Sequence, residues 1–290
     1  MSWRTIIITN RCKLDYRMGY MVVRGDETKR VFVDEIAVLV IENPAVSFTG
    51  CLMETLVEKK VKVIFCDSRR NPISELVPHH GSHDSSLKIR TQALWSKNIK
   101  DVVWSEIVSE KIRKQAEFLL EIKKEREYEL LNSYIGQVEA ADASNREGHA
   151  AKVYFNALFG MEFTRSADIP VNSALNYGYS IILSAFNREI SANGYLTQLG
   201  IFHDNMFNHF NLSCDLMEPF RIIVDRCVYQ MNPAAFNKDE KHELWGILNE
   251  IVRIDDTRQV LLNAIKIYAR SIFDAINDED ISKICFFSLI

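Results

Sequence analysis

The first 75 residues alternate between short apolar runs and turn-forming residues, which is the pattern of β-strands. Apolar residues recur at helical spacing only over Phe48–Lys60, and a strand-like run follows at Val61–Cys66. The pattern predicts a small β-rich domain over residues 1–75 that carries one helix. Its other predicted strands share β-branched or aromatic residues: Thr5–Thr9, Lys13–Arg17, Tyr20–Arg24, Arg30–Val33 and Ile36–Ile41.

Beyond residue 87, the apolar positions follow the period of an α-helix almost throughout. Residues 76–87 contain proline, glycine, serine and histidine, so they predict a linker. The stretches with helical periodicity are Lys88 to about Asn132, Glu139–Phe159, Asn172–Ala192, Cys214–Gln230, Glu240–Val252 and Thr257–Ile276. The chain is therefore predicted to be α+β, with a β-rich N-terminal domain and a larger all-α C-terminal domain over residues 88–290.

Composition and charge narrow the class of protein only slightly. The 290 residues are 47% hydrophobic and 26% charged, which suits a protein with a substantial core. No run approaches the ~20 apolar residues of a membrane span, and no signal peptide is visible. The cysteines form no Cys-x-x-Cys pair, so we expect buried thiols in a reducing cytoplasm; the lack of a long apolar run predicts no membrane contact. The net charge of −4 means that a DNA duplex could be held only by local basic patches.

Polar residues interrupt the apolar helical pattern at three places that could carry chemistry: Arg146–His149, Gly200–His203 and Cys214–Arg221. Asp215 and Glu218 are three residues apart, so on a helix they would share a face and repel each other unless a cation or a proton lay between them. Two glutamates and a histidine form a hard, mostly oxygen donor set that suits Mg²⁺ or Mn²⁺. Spacing alone does not bring these segments together, and separate, solvated or locally paired polar residues remain the alternative.

Four blocks of the sequence resemble signatures of the CRISPR-associated integrase, the core enzyme of spacer acquisition. They occur in the order and with the spacing of that family: Arg146–Phe155, Asn172–Tyr179, Leu199–His203 and Asp215–Arg221. The resemblance spans nearly the whole chain, because a β-rich domain that ends near Ile73 and a helical domain beyond it also fit. The short N-terminal domain and the form of the last block are most similar to the type II branch.

The resemblance implies that Glu147, His203 and Glu218 are catalytic residues that bind a metal, either Mg²⁺ or Mn²⁺. Glu218 stands where many relatives have an aspartate, which should preserve coordination but could alter its geometry. Asp215 falls on a nearby acidic position of the family, and we rank it below the other three.

Other residues near these blocks are weaker candidates. Asn172, Asn176 and Tyr179 share a helix face, which suggests either a polar seam beside the site or ordinary helix packing with satisfied amides. Arg146 and Arg221 flank the proposed ligand blocks and are candidates for contacting a DNA phosphate. Arg221 could equally pair with Asp215 or Glu218.

The activity that the resemblance implies is a transesterification that joins the 3′-hydroxyl ends of a short DNA fragment, the spacer precursor, to the leader and repeat of a CRISPR array. The implied partners are double-stranded DNA, a second copy of the chain in a homodimer and a small second adaptation protein. The type II branch adds an accessory protein and the effector nuclease. One alternative is a non-catalytic DNA-binding or scaffold subunit with a vestigial metal site, and another is an unrelated helical metalloenzyme that acts on a small molecule or RNA.

Overall fold

The N-terminal part of the chain is rich in β-strands, as its alternating pattern predicts. The computed structural model describes residues 4–76 and 82–290. The first range contains one α-helix, α1 (Gly50–Glu58), which Thr49 caps by accepting a hydrogen bond from the backbone N–H of Leu52. The strands are β1 (Arg4–Ile8), β2 (Lys13–Arg17), β3 (Tyr20–Arg24), β4 (Thr28–Phe32), β5 (Ile36–Ile41), β6 (Ser47–Phe48), β7 (Lys62–Cys66) and β8 (Pro72–Glu75).

These strands form two sheets. One has the order β1-β5-β7-β8, in which β1, β5 and β7 run parallel and β8 is antiparallel to β7. The other has the order β4-β3-β2-β6 and contains the antiparallel hairpin of β2 and β3. Met18 and Gly19 close this hairpin with positive φ angles of 47° and 86°, the backbone conformation of a tight two-residue turn.

Strand β5 lies between two hydrophobic cores, and all six of its residues are buried. Ile36, Leu39 and Ile41 pack into a core with the second sheet and α1. Val38 and Val40 belong instead to the larger core of the helical part. The helices therefore cover the opposite face of the first sheet, and a continuous apolar strand is the expected consequence of burial on both faces.

The part of the chain from residue 82 onward is mostly helical, so the α+β prediction is confirmed. Its helices are α2 (Ser85–Ala93), α3 (Lys97–Glu121), α4 (Glu125–Ile135), α5 (Arg146–Phe159), α6 (Pro170–Ala192), α7 (Asn211–Leu216), α8 (Arg221–Met231), α9 (Lys238–Gly246) and α10 (Leu261–Asn277). Residues 77–81 of the predicted linker lie outside the described residues, and α2 begins before the predicted linker ends.

One segment departs from the predicted all-α architecture. Strands β9 (Ile251–Ile254) and β10 (Thr257–Val260) pair as an antiparallel hairpin, so α10 begins four residues later than predicted. Asp255 and Asp256 form the turn with φ angles of 50° and 54°. Aspartate tolerates the left-handed conformation, and the alternating exposure of β9 is that of a half-buried strand.

Local capping also breaks helices that the periodicity predicts as continuous. Ser96 starts α3 by accepting a hydrogen bond from the backbone N–H of Ile99, and Lys123 separates α3 from α4 with a φ of 63°. The predicted helix over Cys214–Gln230 is interrupted after Leu216, and a 3₁₀ turn at Glu218–Phe220 precedes α8. Within the described ranges, no helix combines the length and the apolar character needed to cross a bilayer.

Candidate metal centre

Two of the three predicted ligands meet at one positive charge. The Lys111 ammonium, from the middle of α3, donates hydrogen bonds of 2.5 Å to Oε1 of Glu147 and 2.5 Å to Oε2 of Glu218. The side chain of Glu218 is only 3% exposed and that of Lys111 only 11%. The fold therefore joins residues 71 positions apart in sequence at one buried point, and a cation stands between their carboxylates.

Asp142 fixes Glu147 at the start of α5. Its two carboxylate oxygens accept the backbone N–H groups of Arg146 at 2.7 Å and of Glu147 at 3.0 Å. These N–H groups have no partner within a helix that begins there, so the carboxylate acts as the cap. Asn145, which precedes the helix, has a left-handed backbone and makes no side-chain cap. The cap holds the first turn of α5, and with it Glu147, against α3.

Arg221 holds both oxygens of Glu218. Its Nε donates to Oε2 at 2.9 Å and its Nη2 donates to Oε1 at 2.8 Å, a two-point arrangement that fixes the plane of the carboxylate. Burial raises the pKa of Glu218, but the charges of Arg221 and Lys111 outweigh it and lower the pKa to about 2. Glu218 is thus ionised at neutral pH although it is buried.

His203, the third predicted ligand, is oriented by Asp215. The Nδ1 atom of His203 is 2.5 Å from Oδ1 of Asp215, and the hydrogen bond to this carboxylate raises the pKa of His203 above its ordinary value. Nearby Glu218 and Glu147 also raise it. Because Nδ1 is engaged, Nε2 is the nitrogen that can bind a metal, an arrangement in which a carboxylate orients a histidine ligand.

Asp215 also organises the loop that carries His203. The carboxylate is fully buried and accepts three backbone N–H groups, those of Ile201 at 2.6 Å, Phe202 at 3.1 Å and His203 at 3.1 Å. Gly200 allows this close approach, since a Cβ atom there would lie 2.2 Å from the carbonyl oxygen of His203 and 2.8 Å from Oδ2 of Asp215.

Trp104 packs against the same loop. Its ring, buried in α3, stacks on Phe202 with a centroid distance of 4.5 Å and meets the edge of His203 at 5.7 Å. Trp104 and Lys111 are seven residues apart, so two turns of α3 place both on the face toward the site. Sequence reasoning missed both residues, although a lysine within a buried helix face was a signal that could have found one of them.

The donor atoms suit Mg²⁺ or Mn²⁺, yet they are not gathered as a metal would gather them. Across residues 4–76 and 82–290, no three His, Cys, Asp or Glu side chains come close enough together to hold an ion. Glu147 and Glu218 fit the role of ligands because a cation, the Lys111 ammonium, already bridges them. Asp215 and Glu218 have separate partners, since Asp215 contacts His203 while Glu218 contacts Lys111 and Arg221.

Asn172 and Asn176 bind an arginine that the sequence did not single out. The side-chain oxygen of Asn172 accepts from Nη1 of Arg165 at 2.6 Å, and that of Asn176 accepts from Nη2 at 2.7 Å. The guanidinium also lies 5.5 Å from the ring of Tyr179. Since both amides are neutral, these contacts orient the guanidinium without pairing it with a negative charge.

Tyr179 connects this seam to the metal centre. The guanidinium of Arg221 lies 4.5 Å from the Tyr179 ring, and the Tyr179 hydroxyl donates a hydrogen bond to Asp225. Asp225 is buried, which raises its pKa to about 6 although the Tyr179 hydrogen bond opposes the shift. Arg146, the other predicted DNA contact, has its guanidinium 5.4 Å from the ring of Tyr134.

With this geometry established, comparison with known proteins identifies the family. The family profile described as "CRISPR associated protein Cas1" matches residues 5–253. The chain therefore belongs to the Cas1 family. It is 34% identical over 232 residues to the CRISPR-associated endonuclease Cas1 of Neisseria meningitidis serogroup C (strain 8013), which covers 80% of this chain and 76% of the relative.

Solved structures share the fold. A casposase bound to an integration product superimposes with a TM-score of 0.74 and 16% identity, over 97% of this chain and 92% of the casposase. A chain of a Cas6-RT-Cas1–Cas2 complex gives a TM-score of 0.72 and 16% identity. The match covers 97% of this chain, which spans only 36% of that longer polypeptide. At this identity the similarity shows the fold alone.

Proposed function

We propose that this chain is the metal-dependent integrase and endonuclease of CRISPR adaptation, which joins the 3′-hydroxyl ends of a short DNA fragment to a CRISPR array by transesterification. The observation that carries the proposal is the convergence of Glu147 and Glu218 on one buried cationic nitrogen. Membership of the Cas1 family supports it, as do the endonuclease name of the Neisseria relative and the integration product named with the casposase.

Each proposed ligand has a partner that prepares it for catalysis. Asp215 keeps Nδ1 of His203 engaged, so that Nε2 presents its lone pair to the site. Arg221 keeps Glu218 ionised and oriented, and Asp142 holds the first turn of α5 under Glu147. A Mg²⁺ or Mn²⁺ ion held by Glu147, His203 and Glu218 would polarise a phosphoryl oxygen and orient the attacking hydroxyl.

The proposed partners are double-stranded DNA, a second copy of the chain and a small second adaptation protein. The fold shared with a Cas1–Cas2 assembly supports the small protein partner. Arg165 is a candidate for binding a DNA phosphate, because neutral amides hold its guanidinium, and Arg146 is a second candidate. The accessory protein and effector nuclease of the type II branch remain predictions from the resemblance.

One observation favours the non-catalytic alternative. In the described part of the chain, the three ligands do not close around a common point, and Lys111 occupies the space between two of them. A scaffold subunit with a vestigial metal site would retain DNA binding after Glu147→Gln, and it would not join strands.

Strand transfer in vitro separates the two functions. The protein and its small partner are mixed with a short duplex bearing 3′-hydroxyl ends and a plasmid that carries a leader and one repeat, with Mn²⁺, Mg²⁺ or a chelator. We expect joined product that requires metal and disappears in Glu147→Gln and His203→Ala. His149→Ala is the matched control, because His149 is exposed two residues along α5 from Glu147 and should leave joining unchanged.

A wild type that binds DNA but forms no joined product with the partner present would favour the scaffold function. Product that survives both Glu147→Gln and His203→Ala would show that other residues hold the metal. Thermal unfolding of each variant is measured in parallel, so that loss of product is not confused with loss of folded protein.

A further inference from the structure

The Lys111 ammonium occupies the same carboxylate oxygens that a metal ion would need. Both contacts are 2.5 Å long, so the two oxygens can be no further apart than twice that distance. Two ionised carboxylates this close repel each other strongly in a buried site. Lys111 removes the repulsion, because its ammonium donates a hydrogen bond to each carboxylate.

Two cations contact Glu218, and a metal ion would have to displace one of them to bind this carboxylate. Arg221 contacts both of its oxygens, while Lys111 contacts only Oε2. An arginine fork that makes two parallel hydrogen bonds resists displacement more than a single ammonium on a flexible four-carbon stem. Of the two cations, Lys111 is therefore the one that a metal would displace.

We propose that Lys111 is an internal occupant of the metal site, which holds Glu147 and Glu218 together in the metal-free protein and competes with the divalent cation for them. This inference rests on the proposed function, since it takes Glu147 and Glu218 as metal ligands. When a lysine occupies the site most of the time, only the remaining fraction of molecules can bind metal. The apparent metal affinity is the intrinsic affinity multiplied by that fraction. Lys111 thus sets the metal affinity as well as the stability of the metal-free site.

The test uses Lys111→Met and a matched control, Lys114→Met. Lys114 lies one turn further along α3, its side chain is 4% exposed, and it pairs with two glutamates, Glu110 and Glu117, which are not in the site. Mn²⁺ affinity is measured by electron paramagnetic resonance at constant pH, and thermal unfolding is followed with and without Mn²⁺.

We expect both variants to unfold at lower temperature than the wild type without metal. Lys111→Met should bind Mn²⁺ about tenfold more tightly, since the competitor is gone, and Mn²⁺ should raise its unfolding temperature more than that of the wild type. Lys114→Met should retain the wild-type Mn²⁺ affinity and the wild-type response to Mn²⁺.

Equal or weaker Mn²⁺ binding by Lys111→Met would overturn the proposal. If that variant does not fold, Lys111→Gln provides the same comparison, and failure of both to fold in saturating Mn²⁺ also counts against it, because the metal should replace the ammonium. The inference fails alone if the wild type binds Mn²⁺ through Glu147 and Lys111→Met does not change the affinity. The proposed function fails with it if neither protein binds Mn²⁺ at the site.

Discussion

Replacing Asp215 with asparagine should disturb the candidate site, because both carboxylate oxygens of Asp215 hold the loop that carries His203. Oδ1 accepts the backbone N–H and the ring Nδ1 of His203, while Oδ2 accepts the backbone N–H groups of Ile201 and Phe202. The asparagine NH₂ group must take the place of one of these oxygens. In one orientation this group faces the backbone N–H groups of Ile201 and Phe202, and in the other it faces the backbone N–H of His203, in a fully buried position.

The expected loss of stability follows from this count of hydrogen bonds. A hydrogen bond to a charged group contributes about 1.5–3 kcal/mol, so the loss of one or two lowers the free energy of unfolding by about 1.5–6 kcal/mol. For a chain of this size, each kcal/mol corresponds to about 2–4 °C in Tm. The Tm of Asp215→Asn should therefore fall by about 3 °C or more.

The pH dependence of stability should change as well. Because the hydrogen bond to Asp215 raises the pKa of His203, this pair stabilises the fold below pH 6.5, and the contribution is lost as the pH rises through the raised pKa. In Asp215→Asn, the pKa of His203 should fall toward its ordinary value, which NMR of the imidazole would report.

The matched control for this experiment is Asp204→Asn, which makes the same chemical change at an exposed position next to His203. It should leave both the unfolding temperature and the His203 titration as in the wild type. If Asp215→Asn retained the wild-type stability within about 1 kcal/mol and did not change the pKa of His203, the assigned role of Asp215 would be refuted.

Three further changes test other parts of the site. Because burial raises the pKa of Asp225 to about 6, its contribution to stability should decrease by about 3 kcal/mol as the pH rises from about 4 to about 6, and the difference between the wild type and Asp225→Asn in denaturant unfolding should show this slope. Arg165→Gln should weaken DNA binding and reduce the slope of log K against log salt by about 1 in a fluorescence titration, whereas Arg24→Gln, which disrupts an ion pair in the N-terminal sheet, should not. Gly200→Ala should cost about 1–3 kcal/mol and impair strand joining, since the added Cβ meets the loop of His203; wild-type stability and joining would contradict the assigned loop geometry.

The sequence predicted the β-rich part well because the signals there are local. The alternation of β2 and β3 and the turn at Met18-Gly19 lie within a dozen residues, and the structure has the same strand bounds. The helical part was less accurate at its boundaries. Helical periodicity does not reveal that Ser96 caps α3 or that Asp255-Asp256 reverses the chain into a hairpin, since both depend on side-chain and turn chemistry at single residues.

The partners of the predicted ligands were beyond the reach of sequence patterns. Resemblance to a family suggested Glu147, His203 and Glu218, but Lys111 lies 36 residues before the first of them on another helix. Asp142 was overlooked because it caps α5 from outside the helix, where left-handed residues interrupt the pattern. Contacts of this kind join residues that are distant in sequence. They depend on the tertiary fold, so only the structure reveals them.

The most direct measurement is a crystal structure of the protein grown with Mn²⁺, with anomalous diffraction to locate the ion. The account predicts one Mn²⁺ peak at about 2.1 Å from carboxylate oxygens of Glu147 and Glu218 and from Nε2 of His203, with the Lys111 ammonium moved away from both carboxylates. A saturated crystal in which Mn²⁺ binds elsewhere, while Lys111 still bridges Glu147 and Glu218, would contradict it.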